Sequence, residues 1–252
     1  MTDFQEQIVL VTGSSRGIGR AIAIKFAAAD ASVVLHGRDL DALESVKKEI
    51  DQSGGRSFVV NGDLTHSSEI EDMRNKIEGE LGPVDVLVAN AGGNPVKPGL
   101  LEEISEEGFK ASIDANLTST FLTIRAFLPG MKERGRGAII TMSSAASRRP
   151  TVQSPIAYGA AKAGIELITK ELAAQAGPYG IRVNCIAPET IMTDRNNQQI
   201  PEGMRDQMIK NHPIQRLGTP EDVADAAVFL ASDQSSWITG ITIDVAGGSV
   251  LV

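Results

Sequence analysis

Residues 8–19 read IVLVTGSSRGIG, an apolar β-branched run that passes into a glycine-rich turn and then into the helical pattern AIAIKFAAA. Glycines permit a tight turn, and the start of the following helix offers unpaired N–H groups that suit a phosphate. The spacing is GxxxGxG rather than GxGxxG, so this stretch alone is a weak signal that also fits simple packing. Its place at the first strand-to-helix junction favours a nucleotide site.

Strand and helix patterns then alternate along the whole chain. The early strands are apolar on both faces, which is typical of parallel strands covered by helices on both sides. We predict an α/β fold with one Rossmann-type, doubly wound parallel sheet of about seven strands, forming a single domain over residues 1–252. The predicted strands are 8–11, 32–36, 57–60, 84–89, 138–142, 181–186 and 241–245. The predicted helices are 17–29, 40–52, 67–81, 105–134, 155–177 and 220–232. The polar segment 190–212 carries no strand pattern, and we interpret it as a substrate lid.

Composition narrows the class of protein. The chain has 252 residues, 42% of them hydrophobic, and a formal net charge of −8. That charge disfavours general binding to nucleic acid or to anionic membranes. We find neither a signal-peptide pattern nor an apolar run long enough to span a bilayer, so we expect a cytoplasmic protein. We also expect no metal site. The one cysteine, Cys185, lies in an apolar run and is expected to be a buried thiol.

The end of the second strand bears on the choice of nucleotide. An acidic residue there would bond a ribose 2′-hydroxyl, whereas an arginine suits a 2′-phosphate. The sequence reads VVLHGRD, with Gly37 in the acidic position and Arg38 after it. Arg16 of the glycine turn supplies a second cation, so we favour NADP(H) over NAD(H). The alternative is that both arginines are solvated and that Asp39 reaches the ribose.

A second informative stretch is MSSAASRRPTVQSPIAYGAAK, residues 142–162. Tyr158 and Lys162 are four apart on a predicted helix and therefore share a face. An ammonium nearby would lower the pKa of the phenol towards the range of a general acid or base. The alternative is a half-buried tyrosine with a solvated lysine. Ser143 and Ser144 end the fifth predicted strand, at the edge of the sheet where ligands of open α/β folds bind.

Three other loops bring small or polar residues to the same edge: the turn at Gly13, Asp63 after the third strand, and the run 90–92 (Asn-Ala-Gly) after the fourth. Turn chemistry alone does not explain such a coincidence. With TGSSRGIG, the serine pair, the YxxxK motif and a final VAGG at 245–248, the chain resembles the single-domain short-chain dehydrogenase/reductases over essentially its whole length.

The resemblance implies four catalytic residues. Tyr158 would give a proton to the substrate carbonyl, and Ser144 would bond the same oxygen. Lys162 would hold the nicotinamide ribose and lower the pKa of the tyrosine, while Asn116 would hold a water that links Lys162 to solvent. A bend in the helix is the alternative for Asn116. The implied cofactor-binding residues are Gly13, Ser15, Arg16, Gly17, Ile18, Gly19, Arg38, Asp63, Leu64, Asn90, Ala91, Gly92, Tyr158, Lys162, Pro188, Ile191 and Thr193.

The chain departs from the family pattern at three places. Ser147 stands where the family usually has glycine. The distance from Ser144 to Tyr158 is one residue longer than expected, which leaves Ser143 as an alternative active hydroxyl. Glu189 follows Pro188 where glycine is usual, and we expect a lid hinge turned to solvent rather than an acid facing the substrate.

The likeness is greatest to 3-oxoacyl-(acyl-carrier-protein) reductases, which implies an acyl-thioester or other small-molecule substrate and a homotetramer with helices 105–134 and 155–177 in its interfaces. An acidic carrier protein would need a basic rim, which Lys132, Arg134 and Arg136 could supply. Arg148 and Arg149 suit either an anionic substrate or a subunit interface. The alternatives are an alcohol, sugar or small-ketone dehydrogenase of the same family, or a non-catalytic regulator that senses NADP.

Overall fold

The computed structural model describes residues 4–96, 98–149 and 155–251. All seven strands join one parallel sheet in the order β3-β2-β1-β4-β5-β6-β7, which confirms the predicted α/β class. The strands are β1 (Ile8–Thr12), β2 (Ser32–Gly37), β3 (Arg56–Asn61), β4 (Val86–Ala89), β5 (Gly137–Met142), β6 (Ile181–Pro188) and β7 (Thr242–Val245).

Helices of the described ranges cover both faces of this sheet. They are α1 (Gly17–Ala27), α2 (Leu40–Gln52), α3 (Ser67–Glu80), α4 (Glu106–Ile113), α5 (Ser119–Arg134), α6 (Ile156–Ala176), α7 (Asp194–Gln199), α8 (Glu202–Lys210) and α9 (Pro220–Ala231). A π-helical segment, Asp114–Thr118, joins α4 to α5. The prediction of one regular helix over 105–134 was therefore too simple.

The side chain of Asn116 accounts for this irregularity. Its Nδ2 donates to Ser112 O at 2.8 Å, and that carbonyl is the acceptor that an α-helix assigns to the backbone N–H of residue 116. An insertion of this kind into the hydrogen-bond ladder is a known cause of local distortion.

The segment predicted as a lid also contains structure that the sequence pattern did not reveal. It holds α7 and α8, two short polar helices. Thr193 caps α7, because its hydroxyl accepts from Asn196 N at 3.3 Å. Neither helix has any residue classed as buried, so neither carries the apolar stripe from which a helix is recognised in sequence.

Alternation along the strands divides the core into two layers. Val9 and Val11 of β1 pack on one face with α1 and α9, whereas Ile8 and Leu10 pack on the other with residues of α3 and α5. Cys185 is fully buried, as expected from its apolar run. No helix among the described residues combines the length and apolarity that crossing a membrane requires.

Strand order reverses at β1, which lies between β2 and β4, and the carboxyl ends of these strands form a crevice. Two glycines allow the chain to turn within it. Gly13 has φ +67°, and a Cβ on it would lie 2.9 Å from the Cα of Ala91. A Cβ on Gly19 would lie 2.2 Å from Gly13 O, so α1 packs against the turn only because residue 19 is glycine.

Candidate active site at the carboxyl edge of the sheet

Tyr158 and Lys162 lie one helical turn apart near the start of α6. Lys162 is 3% exposed, and its Nζ donates to Met142 O at 2.8 Å. The same Nζ lies 5.4 Å from the centroid of the Tyr158 ring. The helix therefore brings both groups to the end of β5, and the alternative of a solvated lysine is wrong.

Burial governs the ionisation of both side chains. It raises the pKa of Tyr158, and a hydrogen bond with Ser144 counteracts this only in part. Burial also lowers the pKa of Lys162 to about 8. The sequence argument expected the ammonium to lower the pKa of the tyrosine, but desolvation is the larger influence in this arrangement. The phenol is consequently neutral at pH 7 and has a proton to donate.

The structure distinguishes the two serines after β5. Ser144 bonds Tyr158, and its Oγ also accepts from Ala146 N at 3.2 Å. Ser143 is 3% exposed and points elsewhere, with its Oγ 3.1 Å from Lys162 O and 2.7 Å from Glu166 Oε1. Ser144, not Ser143, is thus the hydroxyl beside the tyrosine. The one-residue difference in the distance from Ser144 to Tyr158 falls in a stretch of which residues 150–154 lie outside the described ranges.

Asn116 is fully buried and joins the π-helical segment to the turn after β4. Its Oδ1 accepts from Gly93 N at 3.0 Å, and its Nδ2 donates to Gly93 O at 2.7 Å. A Cβ on Gly92 would lie 2.6 Å from Asn116 Oδ1 and 3.4 Å from Lys162 Nζ. Residues 92, 116 and 162 therefore lie next to one another.

Asn90 supports the glycine turn from the side. Its Nδ2 donates to Thr12 O at 2.9 Å and to Gly13 O at 3.3 Å. The hydroxyl of Thr12 in turn accepts from the backbone N–H groups of Asn90 and Ala91, both at 3.0 Å. These bonds tie the ends of β1 and β4 together.

His36 holds the same turn from the side of β2. Gly13 N donates to its Nδ1 at 3.4 Å, so Nε2 carries the proton and donates to Gly62 O at 3.2 Å. Ser14 adds two contacts, since its backbone N–H donates to His36 O and its hydroxyl accepts from His36 N, both at 2.9 Å. Burial is the main reason that the pKa of His36 falls to about 4.

Exposed charges surround the ends of β2 and β3. Arg16 lies 2.6 Å from Asp39, and Arg38, with 82% of its side chain exposed, lies 3.9 Å from Asp63. Asp39 also caps α2 by accepting from Ala42 N at 3.1 Å. Hydrogen bonds from Thr65 lower the pKa of Asp63.

The remaining predicted residues lie in and around this crevice. Leu64 is in the core and Pro188 ends β6. Ile191 is 3% exposed, and a Cβ on Gly17 would come within 3.1 Å of Thr193 Cγ2. The start of the lid therefore reaches across to the glycine turn. Ser15 and Ile18 complete that turn and its helix.

Glu189 is not the solvent-facing hinge that the sequence suggested. Its Oε2 accepts from Thr190 N at 2.5 Å and lies 2.6 Å from Nε2 of the buried His212. The other ring nitrogen of His212 is 2.7 Å from Met208 O. Both ring nitrogens of His212 therefore lie within hydrogen-bonding distance of an acceptor. This pair fastens the end of the lid to the end of β6.

The arginines singled out in the sequence are engaged within the chain. Arg148 lies 3.8 Å from Glu166 and 3.4 Å from Asp244, while Arg149 donates to Ser249 O at 3.2 Å. The three cations suggested as a basic rim also contact other residues of the chain. Arg136 lies 3.3 Å and Arg134 3.9 Å from Asp85, and Lys132 stacks over the Tyr179 ring at 4.6 Å.

Sequence reasoning missed several polar anchors of the site. His36 and Thr12 are polar residues within strand patterns, and that departure from apolarity was a usable signal. Glu166 was also detectable, because it stands four residues after Lys162 on the same helical face. The pairing of Glu189 with His212 had no such signal, since it joins residues 23 apart through the fold.

The glycine turn is shaped for a nucleotide. A Cβ on Gly13, Gly17 or Gly19 would lie within 3.1 Å of a neighbouring atom, so these glycines let α1, the end of β4 and the start of the lid pack closely around the turn. Backbone N–H groups at the start of α1 and the cations Arg16 and Arg38 complete a surface suited to phosphates. The residues present therefore fit a dinucleotide.

Comparisons with known proteins place the chain among oxidoreductases. A family model described as Enoyl-(Acyl carrier protein) reductase matches residues 13–249. The chain is 36% identical to 7alpha-hydroxysteroid dehydrogenase of Escherichia coli, over 96% of this chain and 93% of that protein. It is 37% identical to 3-oxoacyl-(acyl-carrier-protein) reductase FabG of Staphylococcus epidermidis, over 95% and 97%. A solved 7 alpha-hydroxysteroid dehydrogenase, complexed with NADH and 7-oxo glycochenodeoxycholic acid, superposes with a TM-score of 0.93 at 35% identity, over 98% and 96%.

His36 predicts how stability depends on pH. Its pKa in the folded chain is about 4, against 6.5 for a free histidine, so the unfolded chain takes up a proton that the folded chain refuses. The free energy of unfolding should therefore fall by up to about 3 kcal/mol as the pH drops from 6.5 to 4. His36→Asn, which keeps an acceptor near Gly13, should flatten this slope in urea titrations across that range. His66→Asn, at an exposed histidine, is the matched control. An unchanged slope in His36→Asn would refute the assignment.

Proposed function

This chain belongs to the short-chain dehydrogenase/reductase family, and on that premise we propose that it is an NADP(H)-dependent enzyme that reduces a 3-oxoacyl thioester at its keto group. Family membership fixes the general reaction, the interconversion of a carbonyl and a secondary alcohol. The observation that carries the proposal is the contact of Ser144 with Tyr158 beside the buried Lys162.

In this mechanism Tyr158 gives its phenolic proton to the carbonyl oxygen of the substrate. Ser144 donates a hydrogen bond to the same oxygen and thereby stabilises the charge that develops there. A bound nicotinamide supplies the hydride. Lys162 stays close enough to stabilise the phenolate that forms, and this interaction lowers the barrier to proton transfer.

The residues around Asn116 would hold a water near Lys162, and the glycine turn would hold the cofactor. The amide of Asn116 is used by Gly93 and Ser112, so a water that re-protonates Lys162 would be held by main-chain atoms of the π-helical segment. The residues that would hold the cofactor are those implied by the resemblance, from Gly13 to Gly19 at the phosphates and Ile191 and Thr193 at the nicotinamide end.

The choice of NADP(H) rests on the charges around β2. Asp39 is already occupied, by Arg16 at one oxygen and by Ala42 N at the other, which disfavours its turning to a ribose. Arg38 is exposed, and Gly37 places no carboxylate at the end of β2 where an acidic residue would bond the ribose. The solved relative described above was complexed with NADH, so family membership alone does not decide between the two cofactors.

The substrate assignment rests on likeness to the carrier-protein reductase of Staphylococcus epidermidis. A hydroxysteroid or a sugar is the second candidate, favoured by the similar identity to the Escherichia coli dehydrogenase and by 36% identity to glucose 1-dehydrogenase 2 of Bacillus subtilis. Two exposed apolar side chains, Met204 in the lid and Ile214 just after it, suit an alkyl chain or a sterol. Docking of a carrier protein would require other cations than Arg134 and Arg136, since Asp85 engages both.

We also propose a homotetramer. Exposed aromatic and aliphatic side chains lie on the helices expected at its interfaces, namely Phe109 on α4, Phe121 on α5 and Leu167 on α6. Apolar side chains of this size are usually covered in the assembled state of an oligomer.

Tyr158→Phe tests the mechanism. It removes the proton donor and little volume, so kcat should fall by at least about 100-fold while the Kd for NADPH stays within about twofold. Absorbance of NADPH measures turnover, and its fluorescence measures binding. The only other tyrosine gives a control, because Tyr179→Phe should leave both quantities unchanged. A Tyr158→Phe enzyme that retains turnover would show that the proton comes from another group.

Arg38→Gln tests the cofactor assignment. If Arg38 binds a 2′-phosphate, kcat/KM for NADPH should fall by roughly 10- to 100-fold, the value of one charged hydrogen bond, while that for NADH stays constant. Arg56→Gln changes an exposed cation at the start of β3 and is the matched control. A wild-type preference for NADH in the same steady-state assay would contradict the assignment.

A substrate panel tests the finer claim. We expect kcat/KM with NADPH to be highest for acetoacetyl-CoA, as a 3-oxoacyl thioester, among a set that includes a 7-oxo bile acid, a sugar lactone and simple ketones. The bile acid or the sugar giving the highest value would move the assignment to the second candidate. Tyr158→Phe should eliminate activity on whichever substrate is best.

A further inference from the structure

Glu166 lies on α6 one turn beyond Lys162, and the proposed proton transfer makes no use of it. Its side chain is only 15% exposed. A carboxylate in such a place carries a desolvation cost unless hydrogen bonds compensate it. Here its Oε1 lies 2.7 Å from Ser143 Oγ and 2.5 Å from Ser147 Oγ, so one carboxylate oxygen is within hydrogen-bonding distance of two hydroxyls.

These two serines flank Ser144, the hydroxyl that faces Tyr158. Ser143 precedes it directly, and Ser147 Oγ lies 2.6 Å from Ser144 O. The hydroxyls of Ser143 and Ser147 are themselves 3.0 Å apart. A hydroxyl has one proton, so Ser147 donates either to Glu166 or to Ser144 O, and both acceptors keep it on the same side of the turn.

The second carboxylate oxygen of Glu166 faces Arg148, and Arg148 also pairs with Asp244 of strand β7. Arg148 Nη1 lies 3.8 Å from Oε2, and Arg148 Nε lies 3.4 Å from Asp244 Oδ1 on β7. The side chain of Arg148 is 20% exposed, so solvent screens these charges less than it would at the surface. Residues 143–148 are thus held by α6 on one side and by β7 on the other.

The hydroxyl of Ser144 has weaker restraints of its own. Besides Tyr158 it contacts only Ala146 N among the described residues, and that bond is within the turn itself. Its direction therefore depends on how the turn as a whole is rotated. The only carboxylate that bonds this turn on both sides of Ser144 is Glu166, as far as the described residues show.

We propose that Glu166 is a positioning residue: by holding Ser143 and Ser147, it fixes the turn so that the Ser144 hydroxyl faces Tyr158 and the substrate oxygen. This rests on the proposed function, because Ser144 and Tyr158 are the groups that it serves. Ser147 is its counterpart on the turn, which gives a role to the residue that replaces the family's usual glycine.

A double-mutant cycle tests this inference on the full-length enzyme with the best substrate of the panel. Glu166→Ala should lower kcat by about 10- to 100-fold, as expected for a displaced catalytic group, and leave the Kd for NADPH unchanged. Because Glu166 acts through Ser144, Glu166→Ala should cause no further loss, within about twofold, in a Ser144→Ala background.

Further variants separate positioning from folding. Glu166→Gln keeps an acceptor oxygen and should restore most of the activity lost in Glu166→Ala. Ser147→Ala removes one arm of the cluster and should give a smaller loss that also vanishes in Ser144→Ala, which keeps the test valid if Glu166→Ala fails to fold. Glu171→Ala, at an exposed position of the same helix, should match wild type.

The inference is overturned if the losses from Glu166→Ala and Ser144→Ala multiply, or if Glu166→Ala and Ser147→Ala retain full kcat. Both results are independent of the proposed proton transfer, which fails if Tyr158→Phe remains active. An inactive Tyr158→Phe together with multiplicative losses would leave the proposed function in place and remove this inference alone.

Discussion

The pairing of β1 with β4 is the constraint on which the rest of this structure depends. At the carboxyl end of this strand pair, the Thr12 hydroxyl accepts hydrogen bonds from the backbone N–H groups of Asn90 and Ala91, which begin the loop after β4. The side-chain amide of Asn90 donates in return to the carbonyls of residues 12 and 13. These are buried polar groups that must find partners within the protein. Because these groups bond one another, they fix the position at which the glycine turn begins. The position of the turn then fixes where the first N–H groups of α1 lie.

Similar contacts continue from the β1–β4 pair across the carboxyl edge of the sheet. Asn116 holds the turn after β4, Lys162 holds the carbonyl that ends β5, and Glu166 holds the serines that follow it. Each contact joins a helical residue to the end of a strand or to the loop after it, and each involves a polar side chain that is largely buried. The sheet supplies the common edge, but these side chains decide the relative position of the loops. Such networks restrict motion because breaking one bond leaves an unsatisfied group behind.

Much of the architecture was predictable because strand and helix periods were regular. The start and end of α2, Leu40 and Gln52, and most strand limits agree with the sequence patterns to within two residues. The lid helices were missed because α7 and α8 bury little. The π-helical segment at Asn116 was not predicted, because it arises from a single side chain. The Asn116 amide competes with its own backbone N–H for the carbonyl of Ser112. The ionisation of Tyr158 was misjudged for a related reason, because burial depends on neighbours that no local spacing reveals.

The pair formed by Glu189 and His212 has a consequence for how this enzyme can diversify. It fastens the far end of the lid beside the point where the lid begins, and Ile191 adds a β-bridge to Gly218 at the same place. The 23 residues from Thr190 to His212 thus form a closed loop with a narrow base. Changes of length or polarity within that loop alter the mouth of the site, while the base isolates the sheet from them. Mutations within that loop, apart from Ile191 and Thr193 at its start, should therefore change the substrate range without displacing the groups proposed to transfer the proton or bind the cofactor.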